Sequence, residues 1–249
     1  LRMSRGLGDV YKRQDLETLT GRRPVTLLGR EWQFRPGAVG SRDWERSRLA
    51  ALYALAQGDA PVVVATADGL MARTLPPETL RSLAITLEVG GQAELGALAE
   101  QLLSAGYTRC EQVEGVGQFA LRGGILDVFS PLMDQPVRCE FFDDEIDSMG
   151  AFDPGTQRRT RNVSSARILP AAEVLPHCAP GGLPGLADQL TALAEKLAKK
   201  QKTEAIVQTL REDAERLRSG AAPGAADRYL AAIYPVSYTH LRAHETCAD

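Results

Sequence analysis

The chain has 249 residues, 44% hydrophobic and 24% charged, with a formal net charge of −3. That length allows one large or two small domains around an ordinary core, and the slightly acidic balance excludes binding to nucleic acid or anionic membrane by bulk positive charge. Cys110, Cys139, Cys178 and Cys247 form no CxxC pair and are too few for a disulfide scaffold, so reduced thiols in a cytoplasmic protein are expected. Apolar runs such as Val62–Val64 are far too short to span a bilayer, and no membrane contact is expected.

The two ends stand apart from the rest. Residues 1–14 (LRMSRGLGDVYKRQ) and 236–249 (VSYTHLRAHETCAD) carry neither helical nor strand periodicity and are similar to translated sequencing adapter. They are expected to be non-native tails and are left out of the fold, as a fusion scar would be. His240 and His244 have the i, i+4 spacing of a helical metal pair, with Cys247 three residues on. In a tail without flanking periodicity that spacing is not read as a metal site.

From Asp15 onward helix and strand alternate. Ser41 is placed as the N-cap of a helix in which Trp44, Leu49, Leu52, Tyr53 and Leu55 repeat at helical spacing, with Gly58 as its stop. Ala60–Ala65 (APVVVA) is short, continuous and β-branched, the pattern of a fully buried strand. Asp68 is placed to cap a short helix ending near Pro76 and Pro77. Helix followed by buried strand is the grammar of a wound α/β sheet. Residues 15–82 are therefore read as the later part of a first α/β domain.

At Leu83 the period changes. Leu83, Ile85, Leu87 and Val89 alternate with their neighbours as a strand, ended by Gly90 and Gly91. Leu95, Leu98, Ala99, Leu102 and Leu103 mark one amphipathic helix stopped at Gly106. Five of the six phenylalanines then fall between Phe119 and Phe152, among short runs separated by Gly, Pro and Asp. That predicts antiparallel strands on few helices, a compact α+β domain over residues 83–168. Beyond a Pro- and Gly-rich connection, Leu186, Leu190, Leu193 and Leu197, and then Ile206, Leu210, Ala214 and Leu217, predict helices within residues 169–235. Lys196–Lys202 reads as a solvated helix face.

Gly117–Gln157 is the most informative stretch. In Gln118–Arg122, Phe119 and Leu121 point one way and Arg122 the other; in Val137–Phe142, Val137, Cys139 and Phe141 suit the core. Arg138, Glu140 and Phe142 then face outward, and Arg122 joins them if the strands are neighbours. Arginine and aromatic side chains concentrate binding energy at interfaces. Two bland readings stay open at this point: Arg138 pairs with Glu140 or Asp127, and Phe142 lies under a loop. Gly123–Gly124 serves either a turn or the close approach of a ligand.

The segments RGGILDVFSP and RCEFFDDEIDSM with FDPGTQR resemble the second domain of the bacterial transcription-repair coupling factor family, a domain similar to one in the B subunit of the excision-repair nuclease. ILPAAEVLP at 168–176 and RYLAAIYP at 228–235 are similar to the following portion of the same family. The resemblance implies a split, truncated α/β domain (15–82, returning over 169–235 as mainly helix) into which the α+β domain (83–168) is inserted. It implies a partner, the damage-recognition A subunit of the nuclease, bound through Arg122, Arg138 and Phe142, with Asp127 and Glu140 in secondary roles. RNA polymerase and DNA would be engaged only through other domains of such proteins.

No catalytic site, cofactor or metal site is expected in this stretch. A phosphate-binding loop needs GxxxxGK[ST], which is absent, and the lysines between Asp15 and Pro235 all lie at 196–202. The run Asp143, Asp144, Glu145 and Asp147 lacks the glycine and spacing of a calcium loop. Trp32, Phe34 and Arg35 are read as packing residues, and His177 as exposed in the proline-rich connection. The competing class is a truncated ATPase or DNA-binding module of the B-subunit type.

Overall fold

The computed structural model describes residues 15–22, 24–27, 29, 42–58, 62–71, 73–199 and 204–235. Ser41, the Trp44 side chain, the Trp32–Arg35 cluster and the His240, His244 and Cys247 spacing lie outside the described residues. The chain forms two compact units, one of residues up to 72 with 77–172, the other of 73–76 with residues from 173 onward.

After a helical stretch over residues 15–20, the first unit has β1 (Val25–Leu27), α1 (Arg42–Gln57) and β2 (Val63–Ala65). β1 and β2 pair in parallel as a two-stranded sheet. All three β2 residues are only half-buried, so the fully buried strand expected from APVVVA is corrected to a short one with a single neighbour among the described residues. The short helix α2 (Ala67–Met71) starts before Asp68; its first turn is held by Thr66 Oγ1, which accepts from the Gly69 N–H at 3.3 Å. The proline pair opens a further helix, α3 (Pro77–Ser82), in place of ending one. Pro is tolerated in a first turn because its missing N–H would be unpaired there anyway.

The rest of this unit is a mixed α/β arrangement. β3 (Ile85–Glu88) pairs antiparallel with β10 (Ser165–Ile168), and α4 (Leu95–Ser104) follows β3. Glu94 caps α4, its carboxylate accepting from the Gly96 and Ala97 N–H groups at 2.7 and 2.6 Å. Between them β4 (Thr108–Arg109), β5 (Gln118–Arg122), β6 (Ile125–Val128), β7 (Val137–Phe142), β8 (Glu145–Phe152) and β9 (Arg159–Asn162) form one six-stranded sheet in sequential order. Each neighbouring pair is antiparallel except β4 with β5.

One sheet face makes the core. Phe119, Leu126, Val128, Val137, Cys139 and Met149 pack with Leu98, Ala99 and Leu102 of α4 and with Leu87, Ala166 and Ile168 of the β3–β10 ribbon. Leu103, read from its spacing as part of the apolar face of α4, is instead exposed. α1 is fastened to the sheet region by Arg46, which donates to the Pro131 and Met133 carbonyls, and by Tyr53, whose hydroxyl accepts from Arg167 at 2.7 Å.

The second unit is mainly helical. α5 (Gly182–Lys199) and α6 (Glu204–Arg218) pack on each other through buried Leu186, Leu190, Val207, Leu210 and Leu217. The short α7 (Leu230–Ile233) closes it, and the Tyr234 hydroxyl donates to the Glu173 carbonyl. Arg73 donates to the Tyr234 carbonyl at 2.9 Å, which ties the 73–76 stretch into this unit.

Candidate protein-docking site

The side of the sheet away from the core carries the site. Ala120 stands opposite Asp127 and Asp127 opposite Arg138; in the next row Arg122 stands opposite Ile125 and Ile125 opposite Glu140. Residues in register on neighbouring strands project to the same face. Arg122, Asp127, Arg138 and Glu140 therefore share one surface; period-two reading of the sequence expects this of Arg138 and Glu140, and of Arg122 once the strands are in one sheet. A bulge falls between Glu140 and Phe141, where β8 spends an extra residue, Asp147.

Asp127 is the centre of this surface. Its side chain is 0% exposed, and its carboxylate accepts from Arg138 Nε at 2.7 Å, Arg138 Nη2 at 2.8 Å and Arg122 Nη2 at 2.7 Å. A buried carboxylate is tolerated only with such partners, and the two-pronged guanidinium fork is the strongest form of the pair. The hydrogen bond to Asp127 pushes the Arg138 guanidinium pKa further up. Arg138 also lies over the Phe152 ring, 4.7 Å from its centroid, a cation–π contact.

A folded-back loop completes the cradle. Asp153 accepts from the Thr156 N–H at 2.7 Å, and this hydrogen bond lowers the pKa of its carboxyl. Gln157 takes a left-handed φ of 59°. That turn brings the Gln157 carbonyl and Oε1 to 3.5 and 3.3 Å from the Arg138 guanidinium, while its Nε2 donates to Pro154 and Val113 carbonyls.

Both open alternatives are thereby decided. Arg138 pairs with Asp127, and Glu140 accepts instead from Ser148 Oγ at 2.9 Å and Arg159 Nη2 at 3.4 Å. Phe142 lies under no loop: it is 76% exposed at the end of β7. Arg122 is 48% exposed, whereas Arg138 is only 20% exposed, enclosed between the Asp153–Arg158 loop and Asp127. The expectation of an outward Arg138 is corrected to that extent. Gly123–Gly124 forms the two-residue turn from β5 to β6, with Gly123 at φ 59° in the left-handed region such hairpin turns require.

Phe152, Gln157, Ser148 and Arg159 belong to the network and were not singled out in the sequence. Only Ser148 and Phe152 carried a signal, since strand alternation alone puts them on this face. Gln157 and Arg159 reach it through a loop and a long side chain that periodicity does not describe. Asp143, at φ 52°, and Asp144 make the tight turn between β7 and β8. Among the described residues no group of His, Cys, Asp and Glu could hold a metal ion, and no helix is long and apolar enough to cross a membrane. His177 is exposed, as expected, in a 3₁₀ turn over Pro176–Cys178.

Comparison with known proteins points the same way. Residues 85–174 match the family model of the UvrB interaction domain. The chain is similar to the transcription-repair-coupling factor of Myxococcus xanthus, 39% identical over 176 residues, and to that of Bacillus subtilis, 33% identical over 200 residues. These alignments cover 70% and 79% of this chain but only 14% and 17% of those proteins. The Escherichia coli transcription-repair-coupling factor is 39% identical over 145 residues, 57% of this chain and 13% of its own length. Residues 85–174 thus match the UvrB interaction domain family, in a chain similar to one stretch of the transcription-repair-coupling factors.

Proposed function

We propose that this chain is a docking adaptor. In this reading its 83–168 domain recruits the damage-recognition A subunit of the excision-repair nuclease, on behalf of a coupling factor that answers to stalled RNA polymerase. The chain itself performs no catalysis and holds no cofactor; polymerase and DNA are met by other parts of such proteins. The setting is cytoplasmic.

One observation carries the proposal: Phe142, 76% exposed, ends the strand that carries Arg138, one of an arginine pair already locked in place by a buried aspartate. An exposed aromatic next to arginine is the composition of an interface anchor. Arginines pre-ordered by Asp127 lose less side-chain freedom on binding than free ones do. In the same reading residues 15–82 and 169–235 are two arms of one split α/β domain. The bond from Arg73 to the Tyr234 carbonyl supports this for the 73–76 stretch alone.

The test is calorimetric titration of the whole chain against the purified A subunit, beside Phe142→Ala and Arg122→Ala. Each substitution should weaken binding about tenfold, the scale of a single hot spot. Arg138 is a poor probe, because its loss uncovers the buried Asp127 charge and confounds binding with folding. Unchanged affinity in both folded variants would sink the assignment. Steeply salt-dependent binding to bare duplex, in place of the A subunit, would move the chain to the DNA-binding class.

A further inference from the structure

The outer face of the sheet holds a third arginine. Arg159, on β9, lies back across β8: its Nη2 donates to Ser148 Oγ at 3.0 Å and to Glu140 Oε1 at 3.4 Å, and its Nη1 to Asn162 Oδ1 at 3.4 Å. Gly150 makes this path available. A Cβ built on Gly150 would come within 2.3 Å of Arg159 Nε, 2.8 Å of Cδ and 2.9 Å of Cγ. Gly150 is the residue opposite Arg138, and Ser148 the one opposite Glu140. The Arg159 side chain therefore runs along the same face as Arg138, reaching back over β8 from a strand whose backbone is two spacings away, on the order of 10 Å.

Local stability does not account for this arrangement. Arg159 is 34% and Glu140 45% exposed, so their ion pair contributes at most about 1 kcal/mol. A glycine inside a strand costs roughly that much in chain entropy and lost packing. What the glycine does provide is a flat, held guanidinium on the open face. Arg122, Arg138 and Arg159 share the face with the carboxylates Asp127 and Glu140 and with Glu145 opposite Phe142, so what the face offers a partner is the exposed side of the Arg122 and Arg159 guanidinium groups and not a net charge.

From this geometry we infer that Arg159 is a further specificity-determining residue of the docking face, seated by Gly150 and reading a carboxylate on the partner. The inference rests on the adaptor reading above and names its partner's chemistry: an acidic patch beside an apolar socket for Phe142. Glu140 and Ser148 hold Arg159 at the height of the sheet until the partner's carboxylate takes over the exposed side of the guanidinium. Arg158, its exposed neighbour outside this network, takes no part.

The experiment measures association rate and affinity of the whole chain for the A subunit at several salt concentrations. Arg159→Gln should weaken binding about fivefold to tenfold, mainly through a slower, less salt-sensitive association, as loss of a steering charge does. Arg159→Glu should weaken it further, and Arg158→Gln should leave it within about twofold, as for a charge outside the contact. Gly150→Ala, which displaces the Arg159 side chain without removing it, should repeat the Arg159→Gln loss while thermal unfolding confirms a folded domain. If Phe142→Ala abolishes binding but Arg159→Glu leaves it unchanged, the adaptor reading stands and the Arg159 inference is overturned. If the wild type does not bind the A subunit, both fall together.

Discussion

Asp127→Ala is the most incisive perturbation of this molecule. The substitution removes the acceptor of both prongs of Arg138 and of one Arg122 donor, and leaves Arg138 only 20% exposed above the Phe152 ring. Breaking one side of a buried pair costs about 3–5 kcal/mol, and the partial exposure of Arg138 puts this site near 3. Arg122 is 48% exposed and regains water, so its share is below about 1 kcal/mol. The expected ranking is therefore Asp127→Ala far above Arg122→Ala. Replacing both partners, as Asp127→Leu with Arg138→Met, should restore most of the loss, because the penalty comes from an unpaired charge and not from the missing bonds. Urea unfolding gives the magnitudes, and hydrogen exchange of the β6 and β7 amides locates them. A loss for Asp127→Ala no larger than that for Arg122→Ala would refute the reasoning, as would a double replacement worse than the single one.

Four further outcomes rest on the same geometry. Leu126→Ala, at a fully buried position of the sheet core, should destabilise by about 2–5 kcal/mol in urea unfolding. Gly123→Ala meets no neighbouring atom but must hold a φ of 59°, so it should cost about 1 kcal/mol, measured by thermal melting, with Gly123→Asn costing less. The Cys139 thiol has its pKa pushed up to about 12 by burial and, secondarily, by the Asp127 charge. The unfolded thiol ionises near its ordinary value of 9.0, so the unfolded chain sheds that proton first. This stability is fully present below pH 9 and lost as pH rises towards 12, a slope that Cys139→Ala should flatten in unfolding measured against pH. Reaction of native Cys139 with a thiol reagent should wait on opening of the sheet.

Much of the fold was legible because its signals are local. Alternation in Gln118–Arg122 and Val137–Phe142 is enough to say which residues share a face, since successive side chains in a strand point to opposite sides. The long apolar repeats of α4, α5 and α6 are likewise set by helical geometry alone. Where local signals competed, the reading slipped. Pro76 and Pro77 read as a helix end although Pro also opens helices, and the β-branched run of β2 reads as fully buried although burial depends on how many strands flank it.

The chemistry of the site divides along the same line. Sequence by itself put Arg138, Glu140 and Phe142 on one face, because the strand period is two whatever the rest of the chain does; that Arg122 joins them needed the strand order. Which arginine meets which carboxylate, how far Arg138 is enclosed, and that Arg159 crosses to the same face over Gly150 were decided only by tertiary structure. Each depends on register, on a bulge and on a loop returning from Asp153 to Gln157. Those are contacts between separate strands and a loop, and no periodicity encodes them.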